Sequence, residues 1–217
     1  MKSIILIAAP AAGKGTEAVR LKEQYNIPHI STGDLLRAAV AKGDERGNMI
    51  NEHITNGKFV SDDIVLELLK EKILEPACEN GYILDGFPRN IAQAEAYDKI
   101  LEEIKRDIGI VIVLDIDKEI AKSRISGRYS CPKCGKVYNI NNSEMKPINE
   151  GLCDSCNIEL TRRADDNPDT YDERYNTYLE KTEPLISYYD KKGIVYHVDS
   201  GISSEETHKQ VVKILGE

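Results

Sequence analysis

Two short stretches of this sequence carry residue types suited to phosphate and metal chemistry. The first is Ala8-Ala9-Pro10-Ala11-Ala12-Gly13-Lys14-Gly15-Thr16. Backbone N–H groups at a helix N-terminus can wrap an anion, and Lys14 adds a positive charge. Thr16 is placed to serve a hydrated Mg²⁺. The match to the general pattern Gly-x4-Gly-Lys-[Ser/Thr] is imperfect, because position 8 is alanine and Gly15 intervenes before Thr16. An ordinary strand–helix turn is the plain alternative. Alanine keeps its N–H, so the donors survive. A positive φ at Ala11 would cost on the order of 1 kcal/mol.

The second stretch is Cys131-x2-Cys134 and Cys153-x2-Cys156, with 18 residues between the pairs. Each Cys-x2-Cys turn can place two thiolates on one metal, and two turns complete a tetrahedral site. A structural Zn²⁺ is expected, with iron or two disulfides as alternatives. No histidine lies nearby, so the site reads as closed. A closed metal knot lets a small insertion with few apolar residues fold as a unit. The fifth cysteine, Cys78, reads as a plain helix or core residue.

Positioning these groups requires a scaffold, and the apolar pattern predicts one. Residues 2–9 read as a buried strand, followed by the glycine turn and a helix from about Lys14. Ser31 and Ser61 read as N-caps of two further helices, the second running to about Glu75. Tyr82–Asp85 reads as a short strand and 91–105 as a helix. Gly109–Asp115 is an almost wholly apolar strand, as expected in a parallel sheet covered on both faces. A helix over 118–126, one from Pro168 to Lys192, a strand at 194–198 and a helix over 204–215 complete the pattern. Alternating strands and helices predict an α/β fold: a parallel sheet with helices on both faces. Ligands bind such sheets at the carboxyl ends of the strands. Residues 127–164, rich in Gly, Pro, Asn and Cys, are too long for an ordinary loop and read as an insertion.

The chain has 217 residues, 41% hydrophobic and 30% charged, with a net charge of −8. That length fits one domain carrying a small insertion. The acidic balance disfavours a general nucleic-acid binder. The apolar runs are strand-length, far below the roughly 18 residues of a membrane span. No signal-peptide pattern follows Met1-Lys2-Ser3, so a cytoplasmic protein is expected.

Taken together, further motifs carry a resemblance. They are Gly-Lys-Gly-Thr at 13–16, Ser-Thr-Gly-Asp-Leu-Leu-Arg at 31–37, Gly-Lys-Phe-Val-Ser-Asp at 57–62 and Leu-Asp-Gly-Phe-Pro-Arg at 84–89. Gln93, Gly127-Arg128, Arg163-Ala-Asp-Asp at 163–166 and Arg174 join them. The chain resembles, over essentially its whole length, the bacterial-type adenylate kinases with a long zinc-bearing lid, a branch of the nucleoside monophosphate kinases. The resemblance implies a P-loop core of residues 1–30, 61–126 and 165–217. It also implies an NMP-binding segment over 31–60 and a lid over 127–164.

The implied activity is reversible phosphoryl transfer, ATP + AMP to two ADP, with Mg²⁺ as cofactor and a structural Zn²⁺. Lys14 would hold the β- and γ-phosphates, within a loop of Ala11, Ala12, Gly13, Gly15 and Thr16. Thr32, Arg37 and Arg89 would hold AMP, with Gly86, Phe87 and Pro88 beside it. Gln93 would read the adenine edge, helped by the backbone of Lys58, Phe59 and Val60. Arg128, Arg163 and Arg174 would converge on the transferring group. Arg124, Val137, Tyr138 and the backbone near Ile202 would line the ATP base, and Asp85 would face the metal waters. The implied partners are small nucleotides, not nucleic acid or membrane, and the implied state is a monomer. Arg162 is ambiguous beside Arg163, and Asp165 and Asp166 are expected to orient arginines or form a hinge.

The sequence departs from the family pattern where glycine is usual, at Ala8 and Ala11, which bears on turnover. Asn139 stands where a histidine is common, and Asn141–Glu150 lacks the usual Phe-Asn-Pro-Pro run; both bear on the choice of triphosphate base. Three other readings follow. They are a relative with a shifted base preference, a weakly active nucleotide-binding paralogue, and a zinc-ribbon nucleic-acid binder, which the acidic charge opposes.

Overall fold

A computed structural model describes residues 3–55, 60–162, 166 and 168–216, except for the side chains of residues 54, 55, 168 and 169. Five strands, β1 (Ile4–Ala8), β2 (His29–Ser31), β3 (Ile83–Asp85), β4 (Ile110–Asp115) and β7 (Val195–Asp199), form one sheet in the order β2-β3-β1-β4-β7. Every pairing in it is parallel. Alternate residues of the buried β1 serve opposite faces, as the two-residue period of a strand requires. Ile5 and Ile7 pack with Leu84, Val111, Val113, Leu69 and Tyr97 on one face. Ile4 and Leu6 pack with Ile112, Ala18, Leu21 and Val211 on the other.

Helices cover both faces: α1 (Lys14–Tyr25) and α9 (Ser204–Leu215) one, α4 (Asp62–Ile73), α5 (Ile91–Glu103) and α8 (Pro184–Asp190) the other. Two helices, α2 (Thr32–Lys42) and α3 (Glu45–Thr55), pack on each other after β2. Helix α6 (Lys118–Ser126) leads to a separate antiparallel pair, β5 (Arg128–Ser130) and β6 (Val137–Asn139), and α7 (Pro168–Thr177) returns the chain to the core. The expected parallel α/β architecture is therefore present.

Several local expectations fail for identifiable reasons. The helix expected from Pro168 to Lys192 is interrupted by a wider turn over Tyr178–Thr182, in which Glu183 N–H donates to the Tyr178 carbonyl at 2.9 Å. Pro184 follows directly; it has no N–H to give, and its ring crowds the carbonyl four residues back. Ser31 and Ser61 occupy N-cap positions, but neither side chain makes a capping bond. Capping is done by Asn90, Asp117 and Ser203, whose side chains accept from N–H groups of the first turns of α5, α6 and α9. Strands β2, β3, β5 and β6 have three residues each; β3 is marked by its apolar Ile83-Leu84, whereas β2, β5 and β6 are too short and too polar to show a period in sequence.

Candidate active site and cysteine centre

Beyond the carboxyl end of β1 the chain turns through residues 9–13 into α1. Gly13 (φ 97°) and Ala11 (φ 65°) both adopt left-handed backbone. The strain anticipated at Ala11 is therefore present. Its methyl group rests against Ala121, Ile125 and Tyr171, which offsets part of the cost. The N-cap of α1 is Gly13, with no side chain on its first N–H groups. Lys14 Nζ lies 3.4 Å from Asp85 Oδ1 at the end of β3, and His29 Nε2 lies 3.2 Å from Asp85 Oδ2. Burial would raise the Asp85 carboxyl. The His29 hydrogen bond and the Lys14 charge outweigh that, and the group is held below its ordinary range. A Cβ on Gly15 would stand 3.9 Å from Asp85 Oδ2, so loop and carboxylate are in contact range. A threonine hydroxyl at 16 and an ionised carboxylate at 85 are the hard oxygen donors that suit a hydrated Mg²⁺.

The second group of residues meets beside the neighbouring strands. Register pairs Ser31 with Asp85, so Thr32 and Gly86 follow side by side. Thr32 Oγ1 donates to the Gly86 carbonyl at 3.2 Å. Arg89 Nε donates to the same carbonyl at 2.8 Å, and Arg89 Nη2 lies 3.2 Å from Thr32 Oγ1. Gly86 has φ 78°, and a Cβ there would sit 3.2 Å from Thr32 Oγ1 and 3.4 Å from Arg89 Nη2. Only glycine takes that backbone freely while leaving the space open. Arg37 is ion-paired to Asp34 on its own helix, with its guanidinium over Gly33 in the first turn of α2. Gln93 is buried on α5 and Val60 is half-buried. Phe87 is buried against Tyr97.

The third group is organised by Asp166. Arg128 Nε donates to Asp166 Oδ2 at 2.6 Å, Arg128 Nη2 to Oδ1, and Arg174 Nη1 to Oδ1 at 3.2 Å. The Asp166 carboxylate is 0% exposed. Burial alone would raise its pKa; the two guanidiniums outweigh burial and lower it. The expectation that an aspartate here orients arginines is therefore met at Asp166. Lys58, Phe59, Arg163 and Asp165 lie outside the described residues. Arg162 donates to the Ser126 carbonyl at 2.5 Å and stacks near Tyr129, a structural position at the root of the insertion.

Arg124 donates to the carbonyls of Ser200 (2.8 Å), Gly201 (3.3 Å) and Ile202 (3.0 Å), so it meets the loop that was expected to share its pocket. The Tyr138 ring is buried in the insertion, and its hydroxyl donates to Cys153 Sγ at 3.4 Å and accepts from Asp154 N–H at 2.8 Å. Any base contact at 137–138 thus falls to Val137, which is half-buried, and to the backbone. Asn139 is also turned inward. Its Nδ2 donates to the Arg124 carbonyl at 2.9 Å and its Oδ1 accepts from Asn141 N–H, fastening β6 to the end of α6.

The sulfurs of Cys131, Cys134, Cys153 and Cys156 all lie within 4.8 Å of one another. Four thiolates around Zn²⁺ at about 2.3 Å would stand about 3.8 Å apart, and Cys134 Sγ and Cys153 Sγ are 3.6 Å apart. That separation and the free state of all five cysteines disagree with disulfides. Each knuckle closes with a left-handed residue, Gly135 (φ 74°) and Asn157 (φ 52°). In each, the next amide returns to the first cysteine's carbonyl: Gly135 N–H to Cys131 at 2.9 Å and Asn157 N–H to Cys153 at 2.8 Å. The donor set and its spacing fit a closed tetrahedral metal.

Residues that sequence reasoning passed over include His29, Asp62 and Asn90. His29 and Asn90 carry no signal in the sequence, and Asp62 enters only as the last residue of the 57–62 motif.

A parallel sheet ordered about a lysine-bearing loop, with arginines gathered at its carboxyl edge, defines a P-loop phosphotransferase. The family model for adenylate kinase matches residues 6–194. The adenylate kinase of Archaeoglobus fulgidus is 46% identical over 213 residues, covering 98% of this chain and 97% of that one. Those of Kosmotoga olearia and Thermotoga maritima are 44% and 42% identical, each covering at least 98% of both chains. The chain belongs to the adenylate kinase family.

Proposed function

We propose that the protein catalyses reversible transfer of a phosphoryl group between ATP and AMP, yielding two ADP. The observation that carries this reading is that cationic side chains from separate segments are each held on a named partner: Lys14 at Asp85 and Arg89 at Thr32 and Gly86, both beside the carboxyl end of β3, and Arg128 with Arg174 on the buried Asp166. The transferring group passes through a loose, highly charged transition state, so positioned cations do most of the work.

In this reading Lys14 and the N–H groups of residues 11–16 hold the ATP phosphates, Thr32, Arg37 and Arg89 hold AMP, and Gln93 reads its base. Gly86, Phe87 and Pro88, with the backbone of 58–60, line the AMP pocket. Arg128, Arg163 and Arg174 neutralise the transferring oxygens, with Asp166 as the positioning residue for two of them. Arg124, Val137, the backbone at Tyr138 and Ile202 line the ATP base. Thr16 and Asp85 would hold the waters of Mg²⁺, which, when bound, neutralises charge on the β- and γ-phosphates. The four cysteines would hold a structural Zn²⁺ that stiffens residues 127–164 as a lid. That lid, with segment 31–60, would close over the core to exclude water. The reading places the enzyme in the cytoplasm as a monomer acting on small nucleotides. The acidic net charge of −8 opposes nucleic acid as a partner, and among the described residues no helix is long and apolar enough to cross a membrane.

The test is a coupled assay of ADP formation with ATP, Mg²⁺ and each of AMP, CMP, UMP and GMP. Rapid transfer to AMP is expected. Transfer to another acceptor and not to AMP would overturn the assignment.

A further inference from the structure

Gln93 sits in a closed ring of hydrogen bonds. Its Oε1 accepts from Arg89 N–H at 2.8 Å, and its Nε2 donates to Asp62 Oδ1 at 2.6 Å. Asp62 Oδ2 accepts from Asn90 Nδ2 at 3.4 Å, and Asn90 Oδ1 in turn accepts from Gln93 N–H at 2.8 Å. The Gln93 side chain therefore has a donor on one side and an acceptor on the other. An amide N–H can only donate and a carboxylate can only accept. Rotating the carboxamide by half a turn would set NH₂ against the Arg89 N–H and a carbonyl against the Asp62 carboxylate. Both contacts would be repulsive at a residue only 6% exposed.

We propose that Asp62, acting through Gln93, is a positioning residue that sets which purine the acceptor site takes. The inference rests on the reading above, in which Gln93 faces the acceptor base. Each half of the carboxamide has capacity left over: one carbonyl lone pair and one N–H. Held in this orientation, the pair offers an acceptor to an exocyclic amine and a donor to a ring nitrogen. That array matches the 6-amino and N1 edge of adenine. A 6-oxopurine presents the reverse, a carbonyl and a protonated N1, and would require the rotated amide. Asp62 and the Arg89 backbone forbid that rotation. Asp62 is itself an exposed residue, so it can be replaced with little disturbance of packing.

The test compares AMP and IMP as acceptors, with ATP and Mg²⁺, in the wild type, Asp62→Asn and Gln93→Leu. IMP carries the 6-oxo group without the extra amine of GMP. An asparagine at 62 presents either a donor or an acceptor and releases the lock. Asp62→Asn is expected to lower the AMP-to-IMP ratio of kcat/KM by about five-fold or more, the scale set by one mismatched buried hydrogen bond. The change should fall mainly on KM. A ratio within two-fold of wild type overturns the proposal, including the case in which both acceptors slow equally because α4 is weakened. Gln93→Leu separates the two layers of inference. If it raises KM for AMP while Asp62→Asn leaves the ratio alone, only the Asp62 assignment fails. If Gln93→Leu leaves KM for AMP unchanged, Gln93 does not face the base and the underlying reading of the acceptor site fails with it.

Discussion

In the sheet, all five residues of β1 and the first five of β4 are buried and apolar, and helices seal both faces. Among the described residues of the insertion over 127–164, the buried cluster is Cys131, Tyr138, Cys153 and Leu160, with Tyr129, Cys156 and Ile158 packed against it, and three of these are among the four gathered cysteines. The strands differ accordingly. The sheet's five strands run in parallel register, while β5 and β6 pair over three residues each. Burial on the scale of the sheet can offset the chain's conformational entropy; a cluster this small cannot do so for a segment of that length. The sheet is ordered by hydrophobic area; the insertion, with so little of it, depends on its four gathered cysteines.

The sharpest way to break this contrast is Cys153→Ser. Metal ligation in small cysteine modules is worth about 10 kcal/mol or more of local folding. The variant should lose bound zinc and unfold residues 127–164, seen as lost amide protection there, while the sheet keeps its protection. Cooperative unfolding of the whole chain, or unchanged zinc content and stability, would contradict the division. The converse substitution, Ile112→Ala in β4, should cost about 2–5 kcal/mol of global stability by cavity formation. It should leave zinc content and lid protection intact in the folded fraction, as read by denaturant melts and metal analysis.

Between the two regions stands Asp166. Asp166→Asn leaves Arg128 and Arg174 without their shared counter-charge. Because both arginines are partly exposed, the expected loss is about 2 kcal/mol, below the figure for a fully buried pair. The sign with pH follows from the lowered pKa of this carboxylate. Its contribution is present above the usual carboxylate range and is lost as pH falls through the depressed folded value. Acid melts of Asp166→Asn should therefore lie below wild type near neutrality and converge with it at the acid end. Parallel curves would show that the carboxylate is not linked to stability. The smallest effect is expected at the loop. Ala11→Gly relieves left-handed strain but loses a methyl contact and gains chain entropy when unfolded, so stability should change by less than about 1 kcal/mol. A thermal melt showing a larger loss would mean that the methyl group, not the backbone, holds the loop.

The centre of the sheet was readable because β1 and β4 are continuous apolar runs and the loop after β1 has a lysine at the right place. The cysteine spacing marked the metal set, and the structure gathers those four sulfurs as the spacing implied. What sequence could not show was partnership between distant residues. Asp166 is expected to orient arginines, but nothing in the sequence says that one of them is Arg128, 38 residues earlier. Nor does the sequence show that the Tyr138 hydroxyl bonds Cys153 Sγ, because a short strand's inward face depends on what lies beneath it. Likewise the wide turn before Pro184 hides in a composition that reads as continuous helix.

The most direct test of the account is ADP formation from ATP and AMP by the purified, zinc-loaded protein, with and without Mg²⁺, set beside Lys14→Met. The account predicts Mg²⁺- and AMP-dependent production of two ADP per ATP consumed. It also predicts a fall of about a hundred-fold or more in kcat when the lysine charge is removed, the scale for one preorganised electrostatic group. ATP consumption that ignores AMP, or a Lys14→Met variant as fast as wild type, would contradict it.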